Sequence, residues 1–158
     1  MVSTSTMKRW SALRGLSVII PSQGRKAGVI EDFFFKAGTG NVDSFLVNTG
    51  LQGLRALPTS GISSVTDTAI TIPHEEVLIR ALPVLPSGNG LLSYKIAGET
   101  VGEVGQVGAV VLEITPPVMR IAALELAGKR GLRILGDEVL HYHQGVIVID
   151  DQDARRLR

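Results

Sequence analysis

Short apolar runs, rich in Val, Ile, Leu and Phe and punctuated by Gly and Pro, follow one another along most of this chain. That pattern predicts strands joined by tight turns. In the first half the runs fall at 17–20, 27–36, 42–48, 54–57 and 69–72. Gly38-Thr39-Gly40-Asn41 is a hairpin signal between two of them, because Gly and Asn tolerate positive φ. The pattern changes at 73–83. There Pro73 opens the segment, Glu75 and Glu76 follow in the first turn, and Arg80 comes near its end. These are helix-end signals and predict a short helix or helical turn. Residues 83–90, with Pro86-Ser87-Gly88-Asn89-Gly90, read as a linker. Strand signals resume at 92–96, 101–114, 119–126, 132–135, 138–143 and 146–149. Thr115-Pro116-Pro117 predicts a longer, stiffer connection than the first hairpin. In the tail, Asp150, Asp151 and Asp153 precede Arg155, Arg156 and Arg158, the order that suits a helix macrodipole.

The runs occur twice. Gly24-Arg25-Lys26-Ala27-Gly28 and Leu54-Arg55-Ala56-Leu57 are echoed by Gly98-Glu99-Thr100-Val101-Gly102 and Leu132-Arg133-Ile134-Leu135, at offsets of 74 and 78 positions. A loop insertion accounts for the difference, since loops accept added residues at little cost. The predicted organisation is a flexible N-terminus over 1–9, one repeat over 10–73, a helical turn and linker over 74–90, a second repeat over 91–149 and a charged tail over 150–158. Phe33-Phe34-Phe35, Ala109-Val110-Val111-Leu112 and Ile121-Ala122-Ala123-Leu124 are apolar at successive positions, and successive side chains point to opposite faces of a strand. Their outer faces therefore need a cover, either the other repeat or a second chain.

The motifs resemble the PRC-barrel family. An apolar strand, a Gly turn, a Gly-Lys-Val-like strand start, an acid soon after, a Thr-Gly hairpin and a late Leu-Pro followed by Ile are matched by Gly24, Ala27-Gly28-Val29-Ile30, Asp32, Gly38-Thr39-Gly40 and Leu57-Pro58 with Ile62. The second half matches with Gly98, Val101-Gly102-Glu103-Val104 and Leu135 with Val139. It departs at Gln106, Pro116-Pro117 and Gly136. The resemblance implies an all-β protein of two tandem small PRC-type β-barrels, packed as a pseudo-symmetric pair and joined by a short helical linker. It also implies a bacterial, non-enzymatic module for protein–protein assembly; a cytoplasmic location is expected separately, because the apolar run after Lys8-Arg9 is too short for a signal sequence and is interrupted by Arg14.

Composition narrows the function classes. Aromatics make up only 4% of the 158 residues, so aliphatic side chains must fill the core. A formal net charge of +1 gives no electrostatic case for strong nucleic-acid or anionic-membrane binding. The chain has no Cys, which excludes disulfides, thiolate metal sites and Cys nucleophiles. No apolar run approaches the ~20 residues needed to span a bilayer as a helix, so no membrane insertion is expected.

For chemistry, His141-Tyr142-His143 is the metal candidate, because residues two apart share a strand face. Asp137 and Glu138 are close in sequence, but no clear third ligand is evident. The simpler reading is a polar edge strand. Gly98, Gly102, Gly105 and Gly108 are interleaved with Val101, Val104 and Val107, which suits a bulged strand better than a phosphate loop. His74 and Ser60 read as structural residues of a helix start and a turn. Asp32 is expected to accept backbone N–H bonds near a turn, and Trp10 to cap the first barrel with the N-terminal segment as a lid. The expected function is therefore a non-catalytic adaptor with no cofactor, no metal and an unspecified protein partner or second copy of itself. Phe33, Phe35, Phe45 and Val47 on an outer barrel face are the candidate interaction surface. A rival reading is a ribosome-maturation or RNA-processing accessory, touching nucleic acid only through ribosomal particles; a His-based metal protein comes after that.

Overall fold

The computed structural model describes residues 6–115, 117–128, 133–135, 141–143 and 145–157. Strand β1 (Thr6–Arg9) and one turn of helix, α1 (Trp10–Leu13), lead into β2 (Ser17–Ile20), β3 (Arg25–Phe35), β4 (Val42–Asn48), β5 (Leu54–Pro58), β6 (Ser64–Val65) and β7 (Ala69–Thr71). A second helical turn, α2 (Gly88–Leu91), leads into β8 (Lys95–Gly98), β9 (Gly102–Thr115), β10 (Val118–Leu126), β11 (Arg133–Leu135), β12 (His141–His143) and β13 (Val146–Ile149), and α3 (Asp151–Leu157) follows.

The two halves have the same strand order. The first sheet runs β5-β4-β3-β2-β7-β6 and the second β11-β10-β9-β8-β13-β12, with β1 added to β9. In each sheet one central pair is parallel, β2 with β7 and β8 with β13. The register repeats as well. Val18↔Gly28 becomes Ile96↔Gly105, Val18↔Ile70 becomes Ile96↔Ile147, and Phe45↔Leu57 becomes Ala123↔Leu135, a shift of 77 or 78 positions throughout. The Leu-Arg offset of 78 therefore marks true equivalents. The glycine offset of 74 does not: Gly28 corresponds to Gly105, and Gly102 to Arg25.

The strand glycines have physical reasons. A Cβ on Gly28 would lie 2.5 Å from the carbonyl oxygen of Asn48, and one on Gly105 would lie 3.1 Å from Leu126, the residue equivalent to Asn48. Both sit beside a register shift, where the strand bulges and bends. Gly102 is demanded by backbone conformation instead, with φ +88° and open space around it.

Several expectations are corrected. Residues 6–9 are not a loose terminus but a strand, paired to Val111–Ile114 of the second sheet through Thr6↔Ile114 to Arg9↔Val111. In 73–83 only Glu75–Val77 turns, as a 3₁₀ helix. The chain then extends so that Ile79 and Ala56 exchange both backbone hydrogen bonds at 2.8 Å, which overrides a weak local helix signal. Residues 88–91 are helical because the Ser87 hydroxyl caps them, accepting the N–H of Gly90. Thr115 pairs with Val118, so the paired strands come closer together in sequence here than Phe35 and Val42 do at the first hairpin.

One continuous apolar core runs through both halves. β10 is buried on both faces from Ile121 to Leu126, so the doubly apolar strand is covered inside the chain. Phe33, Phe35, Phe45 and Val47 have no exposed surface. Their placement on an outer contact face is therefore wrong: on β3 and β4 these residues take the buried positions, with half-exposed Asp32, Phe34 and Leu46 between them. No helix among the described residues is long and apolar enough to cross a membrane.

Candidate functional surfaces

The leading segment of each half crosses to the other. β1 adds to β9 of the second sheet. Reciprocally, Ser87 bridges Phe34 of the first sheet, and the Phe35 N–H donates to the Pro86 carbonyl at 3.1 Å. The helical turns α1 and α2 are themselves related by 78 positions, and they pack on β9 and β3 respectively. Each long strand needs this arm because β2 or β8 pairs only with its first part, leaving the backbone groups of the later part open on that side.

At the crossing on β3 a polar network holds the incoming arm, beside a cleft of about 470 Å³ lined by Arg14, Glu31, Asp32 and Asn89. The Asp32 carboxylate accepts the N–H of Phe33 at 2.8 Å and of Asn89 at 2.9 Å. The Asn89 amide donates to the Glu31 carbonyl at 2.9 Å and accepts the Trp10 indole N–H at 2.7 Å. Trp10 is buried edge-on to Phe33, with centroids 4.8 Å apart. Asp32 thus accepts backbone N–H groups as expected, but it fixes the incoming arm rather than a turn. Trp10 lies where both crossings meet.

At the crossing on β9 the equivalents of Asn89, Glu31 and Asp32 are Ser11, Ala109 and Val110. They form no such network among the described residues, and a cleft of about 450 Å³ there is lined by Arg9, Trp10, Ser11, Arg14, Leu92 and Val110. Arg9 donates to the buried Glu125 at 2.8 Å. Arg14 forms no salt bridge among the described residues.

A second surface lies along β5, the edge of the first sheet. Leu51, Leu54 and Ile79 are exposed there. Arg55 and Arg80 line a shallow depression with Leu51, Gln52 and Glu75. Glu75 is paired with Arg25. Arg55 donates only to the Leu54 carbonyl, and neither Arg55 nor Arg80 has an ionic partner among the described residues. The sequence signal for this rim was weak, because isolated exposed aliphatics look like core residues until the neighbouring strands are placed.

Both histidine candidates lie on β12. β12 pairs His141 with Val148 and His143 with Val146. His143 is exposed, and the side chain of His141 lies outside the described residues, as do Asp137 and Glu138. Tyr142 stacks edge-on against Phe35 at 5.3 Å across the two halves, and burial pushes its phenol up to about 12. Among the described residues no three His, Asp or Glu side chains are grouped to hold a metal. Ser60 sits in the 3₁₀ turn Thr59–Gly61, and exposed His74 precedes the turn at Glu75.

No curated protein matches the sequence. Residues 5–78, the segment from β1 through the 3₁₀ turn after β7, match the model of the PRC-barrel domain in a single copy.

Proposed function

We propose that this chain is a non-catalytic protein–protein assembly module in which residues 84–149 form a second, diverged copy of the PRC-barrel matched once at residues 5–78. Support for the second copy comes from the common strand order and the register preserved at a shift of 77 or 78. The second half departs from the family pattern at Gln106, Pro116-Pro117 and Gly136, in keeping with the single match.

The observation that carries the assembly reading is the β5 rim. Exposed Leu51, Leu54 and Ile79 beside Arg55 and Arg80 combine aliphatic surface with arginine, and arginine is enriched in protein interfaces. The partner that fits presents apolar side chains edged by carboxylates, because the rim carries cations without ionic partners.

The test is a photo-crosslinking residue placed at Leu54, identification of the captured protein, and titration of that purified protein against the purified chain. Leu54→Asp with Arg80→Glu should weaken binding at least ~10-fold, the loss of one charge-assisted contact, with the thermal midpoint unchanged. Equal affinity for wild type and variant would remove this surface from the function.

A further inference from the structure

Ala56 and Ile79 exchange both backbone hydrogen bonds in an isolated antiparallel bridge. The residues beside them, Arg55 and Arg80, therefore face each other at a non-hydrogen-bonded position, where side chains approach most closely. Both line one shallow depression of about 710 Å³, together with Leu51, Gln52 and Glu75. Like charges set directly opposite on paired segments are destabilising. The fold does not offset this pair. The Glu75 carboxylate is held by Arg25, and neither Arg55 nor Arg80 forms an ion pair among the described residues. Arg55 gives one N–H to the Leu54 carbonyl at 3.0 Å. The Arg25–Glu75 pair is neutral as a unit, so Arg55 and Arg80 leave the depression positively charged.

Two opposed guanidiniums select the charge of what binds. A carboxylate carries one charge and two oxygens, enough for one planar fork of N–H donors. A phosphate monoester carries about −1.5 to −2 at pH 7 and three acceptor oxygens, so a single group can answer both arginines. Leu51 lines the same depression, and Leu54 and Ile79, the residues just before the two arginines, are exposed. A free phosphate leaves that aliphatic surface bare, whereas a phosphorylated side chain brings its flanking residues to it.

We infer that Arg55 and Arg80 together bind one phosphorylated serine or threonine of the partner, with aliphatic residues beside it on Leu51, Leu54 and Ile79. This rests on the β5 rim as the docking surface and specifies the anion at its centre: one dianion shared by both arginines, in place of a carboxylate on each.

The probes are acetyl-Leu-phosphothreonine-Val-amide, its Thr and Glu counterparts, and inorganic phosphate, each titrated against the whole chain by calorimetry at low salt. The phosphopeptide should bind saturably, with the Thr peptide, the Glu peptide and inorganic phosphate each at least ~10-fold weaker. Arg55→Gln and Arg80→Gln should each weaken the phosphopeptide by at least the same factor. Without ligand, Arg80→Gln should not lower the thermal midpoint, because it relieves the repulsion. Saturating phosphopeptide should raise the midpoint of wild type more than that of this variant. The inference is overturned if the phosphopeptide does not saturate, if the Glu peptide binds as tightly, or if either variant binds as wild type does. It is overturned too if inorganic phosphate binds as tightly as the phosphopeptide, which makes the site one for free phosphate. Should the phosphopeptide fail while a partner captured at Leu54 is still weakened by Leu54→Asp with Arg80→Glu, the phosphate falls and the rim stands. Should the phosphopeptide bind as expected while that partner binds wild type and variant alike, the phosphate site stands and the rim reading falls.

Discussion

At Gly88 a Cβ would lie 1.9 Å from Cε1 of Phe33, and at Gly28 one would lie 2.5 Å from the Asn48 carbonyl. Neither neighbour can step aside cheaply, since Phe33 is wholly buried against Trp10 and Phe35 and Asn48 belongs to the β4 backbone. Overpacking of this kind costs about 1–3 kcal/mol. Gly88→Ala and Gly28→Val should each lower the unfolding free energy by that amount, measured by urea unfolding. Gly38→Ala, where an added Cβ meets nothing, should leave it within about 0.5 kcal/mol. A midpoint unmoved by Gly88→Ala would mean that α2 does not dock on Phe33.

Among the elements, α3 shows how a seven-residue helix is held. It is too short to persist alone. Ala154 and Leu157 are buried, and Ala154 packs where a Cβ on Gly98 would stand. The Asp151 carboxylate accepts the Thr100 hydroxyl and the N–H groups of Thr100 at 2.8 Å and Val101 at 3.1 Å. The bonds from Thr100, then that from Val101, hold its pKa below the ordinary value of 3.8. A carboxylate with a depressed pKa contributes stability that is complete above its unfolded pKa and lost as pH falls through the folded one. The protection factors of the α3 amides, corrected for the intrinsic pH dependence of exchange, should therefore be unchanged from pH 7 to about pH 5 and fall below about pH 4. Asp151→Asn should show faster exchange already at pH 7 and a weaker acid dependence. Equal exchange profiles for variant and wild type would count against this tether.

For the molecule as a whole, the crossed arms make the halves interdependent. β1 finds its partner only on β9, and the open side of β3 is met by Pro86 and Ser87. Lys8 to Asp67 and Arg9 to Glu125 tie the same arm to both halves. Separating the chain after residue 83 leaves each long strand without its crossing segment and opens the shared core. Exposing even ~400 Å² of apolar surface costs about 10 kcal/mol at ~25 cal/mol per Å², comparable with the stability of a small domain. Residues 1–83 expressed alone should self-pair by exchanging arms, or fail to unfold cooperatively, whereas the intact chain unfolds in one transition. Mixing 1–83 with 84–158 should restore that transition. A cooperatively folded monomer of 1–83 in ultracentrifugation and denaturation would show that the halves do not complete each other.

The strands were legible in the sequence wherever local pattern decides: residues 42–48, 54–57 and 146–149 need only alternation, turns and β-branched side chains, and β4, β5 and β13 lie there. The common register of the two sheets was legible too, since Leu54-Arg55 and Leu132-Arg133 stand at the shift of 78 that relates them. What local pattern could not give was any pairing that depends on a distant partner. Thr6–Arg9 is polar enough to read as a loose end, and only the open side of β9 makes it a strand. Gly24 and Gly98 looked equivalent because glycine marks turns and bulges alike; register assigned Gly28 to Gly105. The sequence could say that Phe33, Phe35, Phe45 and Val47 are apolar, but not which face they take. Burial by α1, α2 and the second half turned them inward. The candidate sites were the least visible part, because the β5 rim and the cleft at α1 are each assembled from segments far apart in the chain. Composition, periodicity and turn chemistry are properties of neighbours and were fixed along the chain. Coverage, cleft and contact surface arise from what packs on what, and those were decided by the tertiary structure alone.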